Sequence, residues 1–312
     1  MDTRDPEPIS SLADILRAET ARGRTLFPVR AAVTCQGTSG AYSEQAARRL
    51  FAKPDIRFVA AFDDVFRAVE RGETPYGVLP IENSTAGSVA AVYDLMRSHR
   101  VRIVRAARLR IDHALLGTPG ATEDGVREVV SHPQALAQCS RYFERHPEVR
   151  ATPVSNTAVA ARMVSEGGRR DLAALASPEC AALYGLAVLR ESVADVANNS
   201  TRFVCIAREL EIYPDAAKTT LVFTVPHRPG TLYRVMGRFA ALGLNLTKIE
   251  SRAIPGSDFE YRFIVDLEAS PYAPRVAGLL ADLSTSPDLQ SFEYLGSYAE
   301  LPITSGATVS HG

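Results

Sequence analysis

The sequence predicts an α/β protein followed by a smaller α+β unit, and three observations carry that reading. Between residues 31 and 207, short apolar runs alternate with segments of helical period, the pattern of an α/β sheet. Pro214 and Asp215 then break the chain. From Thr219 to Tyr298 the order becomes strand, helix, strand, strand, helix, strand, the split βαββαβ (ferredoxin-like) unit.

The elements follow from local patterns. Ala31–Thr34 begins as a strand, and Gly37–Ser43 is a small-residue loop. Glu44–Phe51 is a helix, with Ala46, Ala47 and Leu50 on one face. Phe58 and Val59 start a strand, Phe62–Arg71 is a helix, Gly77–Ile81 a strand, and a helix runs from about Gly87 to Ser98. Val101–Leu116 alternates as β-structure and Asp124-Gly125 turns. Glu128–Ser131 is a strand running into His132-Pro133-Gln134, with a helix from Ala135 to Arg145. Ala151–Val154 is a strand, Asn156-Thr157 caps a helix to Glu166, Leu172–Ala176 is a strand and Pro178–Tyr184 a helix. Asn198–Arg202 leads into the strand Phe203–Ala207, and Glu209–Ala217 is a linker. The last unit has strands Thr219–Val225, Leu244–Ile254, Phe259–Leu267 and Leu289–Tyr298, and helices Gly230–Leu242 and Ala273–Leu283.

The ends carry less pattern. Residues 1–30 contain no secretory apolar core. Leu12, Ile15 and Leu16 fall on one helical face with Ser11 as a cap, and we expect a frayed appendage rather than a helix docked on a partner subunit. Leu301–Gly312, rich in Ser, Thr and Gly, is expected to be disordered.

Bulk properties exclude several classes. A net charge of −1 gives no signal for nucleic acid or an anionic membrane. No apolar run is long enough to span a bilayer. Cys35, Cys139, Cys180 and Cys205 form no CxxC pair, so they read as buried thiols in a reducing compartment, not as a zinc site. Neither GxGxxG nor GxxxxGK[ST] occurs, and G-x-S-x-G is absent.

Chemistry gathers in four strand-end loops: Gly40–Ser43, Glu82–Ser88, His132–Gln134 and Asn198–Arg202. Each offers hydroxyls, amides or backbone N–H groups, and Glu82, His132 and Arg202 are the titratable members. Strand ends opening into helix N-termini favour anions. A site of mainly neutral donors suits a ligand carrying carboxylates and a reaction in which hydroxide leaves with help from a hydrogen-bond donor. Each loop taken alone also reads as ordinary structure: Ser43 and Asn156 as caps, His132 as a structural hydrogen-bonding group, Arg202 as an ion-pair partner.

Taken in order, Gly40-Ala41-Tyr42-Ser43-Glu44-Gln45-Ala46-Ala47, Gly77–Val89 with its Pro-Ile-Glu-Asn-Ser run, Ser131-His132-Pro133-Gln134 and Asn199-Ser200-Thr201-Arg202-Phe203 resemble the motifs of prephenate dehydratases. Pro226-His227-Arg228-Pro229-Gly230-Thr231-Leu232 and Lys248-Ile249-Glu250-Ser251-Arg252 resemble the ACT domain that follows the dehydratase in this family. The resemblance covers roughly residues 31–300. It implies a dehydratase domain over 31–208 built of two periplasmic-binding-protein-like lobes, 31–109 with 190–208 and 110–189. A linker (209–217), an ACT domain (218–300) and a flexible tail (301–312) follow, and residues 1–30 form an N-terminal extension, too short for a chorismate mutase domain.

The implied reaction converts prephenate to phenylpyruvate with loss of carbon dioxide and water, in phenylalanine biosynthesis, with no cofactor or metal. Aromatisation drives it, and the enzyme assists the leaving hydroxyl and orients the ring. Thr201 is the group implied to act on that hydroxyl, with Asn83 and Gln134 orienting substrate and Glu82 orienting Asn83 or holding a water. Ser43, Ser84, Thr85, Ser88, His132, Arg202 and Phe203 complete the expected substrate site. His227, Pro229, Gly230, Thr231, Leu232, Glu250, Ser251 and Arg252 are implied to bind L-phenylalanine as effector in a cytoplasmic homodimer or homotetramer joined through the ACT domain. Two departures affect this second site: Gly230-Thr231-Leu232-Tyr233 stands where Gly-Ala-Leu-Val is usual, and Ala253 replaces a Pro after Glu-Ser-Arg. The same motifs serve arogenate dehydratases, and a non-catalytic amino-acid sensor is the reading from another class.

Overall fold

The computed structural model describes residues 11–254, 256 and 260–303. Phe259, at the expected start of a strand, and residues 1–10 and 304–312 of the two ends lie outside them. In chain order the elements are α1 (Leu12–Ala21), β1 (Arg30–Gln36), α2 (Tyr42–Leu50), β2 (Lys53–Val59), α3 (Phe62–Glu70), β3 (Tyr76–Asn83), β4 (Gly87–Ser88) and α4 (Ala90–Ser98). There follow β5 (Arg102–Arg110), β6 (Ala114–Gly117), β7 (Glu128–Ser131), α5 (Pro133–Ala137), α6 (Ser140–Arg145), β8 (Arg150–Pro153), α7 (Thr157–Gly167), β9 (Leu172–Ala176), α8 (Glu179–Tyr184), β10 (Ala187–Arg190) and β11 (Ser200–Ala207). The last are β12 (Lys218–Thr224), α9 (Thr231–Ala241), β13 (Asn245–Ala253), β14 (Tyr261–Glu268), α10 (Pro274–Ser284), β15 (Ser291–Tyr298) and the short β16 (Glu300–Leu301), which occupies the start of the expected tail.

The chain divides into two compact units. The larger comprises Val29–Arg100 and Ala106–Arg208. One of its sheets runs β5, β11, β3, β1, β2, and the other β10, β6, β9, β7, β8. β1 pairs in parallel with both β2 and β3, whereas β11 returns antiparallel to β3. β7 is parallel to β8 and β9, and β6 is antiparallel to β9. The chain passes from the first sheet to the second at residues 111–113 and returns over 191–199. The crossings are tied to each other and to the flanking strand by Ile111 N–H on the Asn199 carbonyl (2.9 Å) and Val193 N–H on the His113 carbonyl (2.7 Å). Two sheets linked by a double crossing make two lobes, and residues at the carboxyl ends of the parallel strands border the space between them, the usual ligand position in open α/β sheets.

The lobe cores follow from composition. β9 (Leu-Ala-Ala-Leu-Ala) is buried along its whole length. Ala114, Leu116, Ala174 and Ala176 pack against Ala158, Ala161 and Val164 of α7 on one face. Leu115, Leu175 and Val129 pack with Tyr142 and Cys139 on the other. All four cysteines are buried free thiols.

The smaller unit holds the N-terminal residues through Pro28, Val101–Arg105 and Glu209–Glu300. Its antiparallel sheet has the order β13, β14, β12, β15, and α9 and α10 lie between the strands in sequence, so it is the expected βαββαβ unit. Leu221, Phe223, Val265 and Leu267 form its core with Val235 and Phe239 of α9 and Val276, Leu280 and Leu283 of α10.

Four expectations need correction. The helix over 87–98 begins only at Ala90, because Gly87, at φ +77°, turns the chain so that Gly87 and Ser88 pair with Asn83 and Glu82. The helix over 135–145 is two helices. The Asp195 carboxylate accepts from Ser140 N (2.9 Å), Ser140 Oγ (2.8 Å) and Arg141 N (3.1 Å), starting α6 afresh from a distant loop. β2 starts at Lys53 and ends at Val59, since pairing with β1 carries it through Pro54 and Asp55 at the sheet edge. Residues 12–21, in the described part of the expected frayed appendage around Leu12, Ile15 and Leu16, form an ordered helix. Ser11 and Asp14 form a capping box on α1, and Leu16 is buried against Ile212, Ala216 and Leu280. Ile15 stays exposed, and buried Glu19 fills out the inner face with an ion pair to Arg24 (2.5 Å).

Candidate active site

Between the two lobes lies a cleft of about 460 Å³. Its wall draws on both lobes: Ser43, Asn83, Ser88, Thr201 and Phe203 from one, His132, Gln134, Gln138 and Thr157 from the other, with His113 at the crossing. No lysine, arginine, aspartate or glutamate side chain lines it among the described residues.

The centre of the wall is a pair of facing residues. Thr201 opposes Asn83 in the β11–β3 register, and Asn83 Nδ2 donates to Thr201 Oγ1 at 3.0 Å. Both are more than nine-tenths buried. Backbone N–H groups of Thr85 (3.0 Å) and Ala86 (2.9 Å) donate to Asn83 Oδ1, which fixes the amide with its NH2 toward Thr201. A β-bulge lies just beyond, between Arg202 and Phe203. Bulges re-aim side chains at functional strand ends.

The neighbouring charges face each other instead of the cleft. Arg202 Nη2 is 2.9 Å from Glu82 Oε2, and Arg202 is 5% exposed. Ser84 binds the opposite loop: its N–H donates to the Ser200 carbonyl (2.8 Å), and its Oγ donates to the Asn198 carbonyl and accepts from Ser200 N–H. Thr85 Oγ1 donates to Asn83 Oδ1 at 2.7 Å. Of the expected site residues, the structure therefore brings Ser43, Asn83, Ser88, His132, Gln134, Thr201 and Phe203 to the cleft. Glu82, Ser84, Thr85 and Arg202 stand behind it as supports.

Two helices of nine and eleven residues begin at the cleft. α2 has no side-chain cap; Ala41, Tyr42 and Ser43 at its start line the wall. Ser43 Oγ donates to the Gln36 carbonyl at 2.6 Å. α7 starts at Thr157, with Asn156 Oδ1 accepting from Val159 N–H at 2.8 Å. First-turn N–H groups have no acceptor inside their own helix and carry partial positive charge; at α2 the Glu44 carboxylate, which accepts from Gly40 N–H and pairs with Arg48, shares that turn.

Sequence reasoning missed His113, Gln138 and the role of Asn156-Thr157 beyond capping. His113 sits in a strand-like run where it reads as filler, and Gln138 lies in what reads as mid-helix. Burial holds the His113 imidazole below the usual 6.5 and so neutral, and burial also lowers His132. His132 caps α5, its Nδ1 accepting from Gln134 N–H at 3.2 Å. Tyr42, pushed well above the usual phenol range by burial, stays neutral and donates to the Asp112 carbonyl at 2.5 Å.

The smaller unit carries a second cavity of about 220 Å³. His227, Gly230, Thr231 and Leu232 line it, with Arg228, Tyr233, Glu260 and Tyr261. Gly230, at φ +82°, makes the turn into α9, and Thr231 Oγ1 donates to the Pro226 (2.8 Å) and Arg228 (2.7 Å) carbonyls. Pro229 and Glu250, Ser251 and Arg252 of β13 are not part of its wall.

The fold and the cleft define a two-lobed α/β enzyme domain, followed along the chain by an ACT-like unit. The sequence model of the family described as "Prephenate dehydratase" matches residues 33–211. The chain is 38% identical over 267 residues to "Arogenate dehydratase/prephenate dehydratase 1, chloroplastic" of Arabidopsis thaliana, covering 80% of this chain and 68% of that relative. The solved prephenate dehydratase of Arthrobacter aurescens in complex with L-Phe is similar with a TM-score of 0.76 and 31% identity, over 86% of this chain and 90% of that one. A structure described as "GqqA- a novel type of quorum quenching acylases" gives 0.75 and 35%, over 86% and 97%. The chain belongs to the prephenate dehydratase family and is a prephenate or arogenate dehydratase, a carbon–oxygen lyase of phenylalanine biosynthesis.

Proposed function

We propose that the substrate is prephenate, that Thr201 donates the hydrogen bond to its leaving ring hydroxyl, and that L-phenylalanine regulates the enzyme through the smaller unit. The observation that carries the catalytic reading is the Asn83–Thr201 pair in a wall without charged side chains. Because the Asn83 amide occupies an acceptor site on Thr201 Oγ1, the threonine proton is left to point elsewhere, into the cleft. The bond from the ring to its carboxylate breaks and the carboxylate leaves as carbon dioxide. Its electron pair enters the ring, the C–O bond breaks, and the departing hydroxide takes up a solvent proton to become water.

Thr201 stabilises charge growing on that oxygen, which a neutral donor does best when it is already in place. A fixed cation against the ring carboxylate would oppose decarboxylation by stabilising the ground state. Helix starts at α2 and α7 supply weaker, partial positive charge for the two carboxylates, while Gln134, Ser43 and Ser88 orient the ring. Glu82 and Arg202 support the β3–β11 end.

Arogenate carries an ammonium group where prephenate has a side-chain ketone. Among the described residues no carboxylate lines the cleft to meet an ammonium, and this favours prephenate. Amide hydrolysis would need a hydroxyl held by a base. Thr201 is held by an amide donor, and Ser43 gives its proton to a backbone carbonyl, so neither is an activated nucleophile.

The 220 Å³ cavity beside Gly230, Thr231 and Leu232 has the size and the backbone polarity for an amino acid, and L-Phe is the ligand named for the Arthrobacter aurescens enzyme. We assign residues 31–208 to the dehydratase domain and 218–300 to an ACT domain that joins two or four copies. Assays of the purified protein with prephenate and with arogenate, each with and without L-phenylalanine, test the reading. Faster turnover of prephenate, slowed by L-phenylalanine, is expected; turnover of arogenate alone overturns the substrate assignment, and turnover of neither substrate points to a sensor.

A further inference from the structure

The hydrogen bonds around Asn83 have a single allowed direction. Thr85 and Ala86 N–H groups fix Asn83 Oδ1 as an acceptor, so its Nδ2 meets Asn199, whose Oδ1 accepts at 2.8 Å. Asn199 is left with Nδ2, which donates to Gln138 Oε1 at 3.0 Å. Gln138 Nε2 donates to Thr85 Oγ1 at 3.0 Å, and the Thr85 hydroxyl donates to Asn83 Oδ1 at 2.7 Å. Four side chains thus close a ring in which every bond runs the same way, an arrangement whose members strengthen one another. His113 Nε2 lies 3.3 Å from Gln138 Oε1. That oxygen is already fixed as an acceptor, so Nε2 carries the imidazole proton.

The ring draws on both lobes. Asn83 ends β3, Thr85 follows it and Asn199 precedes β11 in the first sheet, whereas Gln138 caps the end of α5 in the second. We propose that Gln138, held by His113, is a positioning residue: it completes the ring only when the lobes stand as they do here, and so fixes the Asn83 amide that frees the Thr201 proton for substrate. The proposal rests on the Thr201 assignment above and adds to it a coupling between lobe position and the reacting centre. Without Gln138, the Thr85 and Asn199 side chains lose a partner each and the amide loses its lateral restraint.

Gln138→Ala and Gln138→Glu test this, with folding checked by circular dichroism. Gln138→Ala should lower kcat about 10- to 100-fold with little change in KM, because the lost interaction acts in the transition state. Combined with Asn83→Ala, its loss should not multiply, since the two act through one group. Gln138→Glu keeps both accepted bonds but lacks the donor to Thr85, so its kcat relative to wild type should rise as pH falls and its carboxyl protonates. A raised KM with unchanged kcat would make Gln138 a substrate contact, and multiplying losses or a pH-independent ratio would make the ring irrelevant; either result overturns the proposal. If Asn83→Ala and Thr201→Ala themselves leave kcat unchanged, the Thr201 assignment fails first. If they lower it and Gln138→Ala does not, only the coupling fails.

Discussion

Asn83 and Thr201 face each other across two antiparallel strands, and the asparagine amide donates to the threonine hydroxyl at 3.0 Å. The direction of that bond matters more than its length. An amide donor leaves the threonine proton available, whereas an acceptor at the same place would claim it. Asn83→Asp makes that exchange, keeping the Thr85 and Ala86 bonds while presenting a carboxylate oxygen to Thr201. We expect kcat to fall about 10²- to 10³-fold with the fold retained, as for loss of an oxyanion-hole donor. Steady-state kinetics with matched thermal melts check it, and kcat within threefold of wild type would contradict the bond direction.

Gly40 of the first lobe packs against α8 of the second. It has φ +86°, and a Cβ there would lie 2.9 Å from Cys180 Sγ and 3.0 Å from a Leu183 methyl. Gly40→Ala should destabilise the protein by about 2 kcal/mol through backbone strain and the clash. Urea unfolding measures this directly, and because the same loop feeds the start of α2, kcat/KM should fall as well.

Histidine burial gives stability an acid limb. Folding lowers the pKa of His113 below the usual 6.5, so between the two values the unfolded chain binds more protons than the folded one. Stability is therefore full above about pH 6.5 and is lost as pH falls through the depressed folded value. Unfolding midpoints from pH 7.5 down to 5 should decline, and His113→Gln should decline less steeply over that window. Equal slopes would show that His113 titrates alike in both states.

Glu82 separates support from catalysis. Its ion pair with buried Arg202 lies behind the cleft wall. Glu82→Ala should cost about 1–2 kcal/mol of stability, less than a fully buried pair, because Glu82 is about one-third exposed. KM for prephenate should change less than threefold. A KM raised tenfold or more would place Glu82 on the substrate.

Much of this was legible in the residues, for local reasons. Buried strands such as Leu172–Ala176 announce themselves by continuous apolar runs, and Asn156 and Ser11 by their capping chemistry. The βαββαβ order was readable because each element has its own period. What escaped depends on partners far away in the chain. Asp195 ends one helix and starts another across more than fifty residues, and no local signal at Gln138-Cys139 reports it. β2 extends over Pro54 only because β1 pairs with it. In the site, Asn83 and Thr201 were visible as polar residues at strand ends. Ser84 looked equivalent to Asn83, yet its groups are used by the opposite loop. His113 and Gln138 were invisible, since their importance comes from a ring assembled by two lobes.

The most direct test of the account is kcat/KM for Thr201→Ala and Thr201→Ser with prephenate, followed by phenylpyruvate absorbance in alkali. Loss of the donor should lower kcat/KM at least about 100-fold in the alanine variant, while the serine variant, which keeps the hydroxyl, should stay within about tenfold of wild type. An alanine variant that folds and turns over prephenate at close to the wild-type rate would contradict the central role given to Thr201.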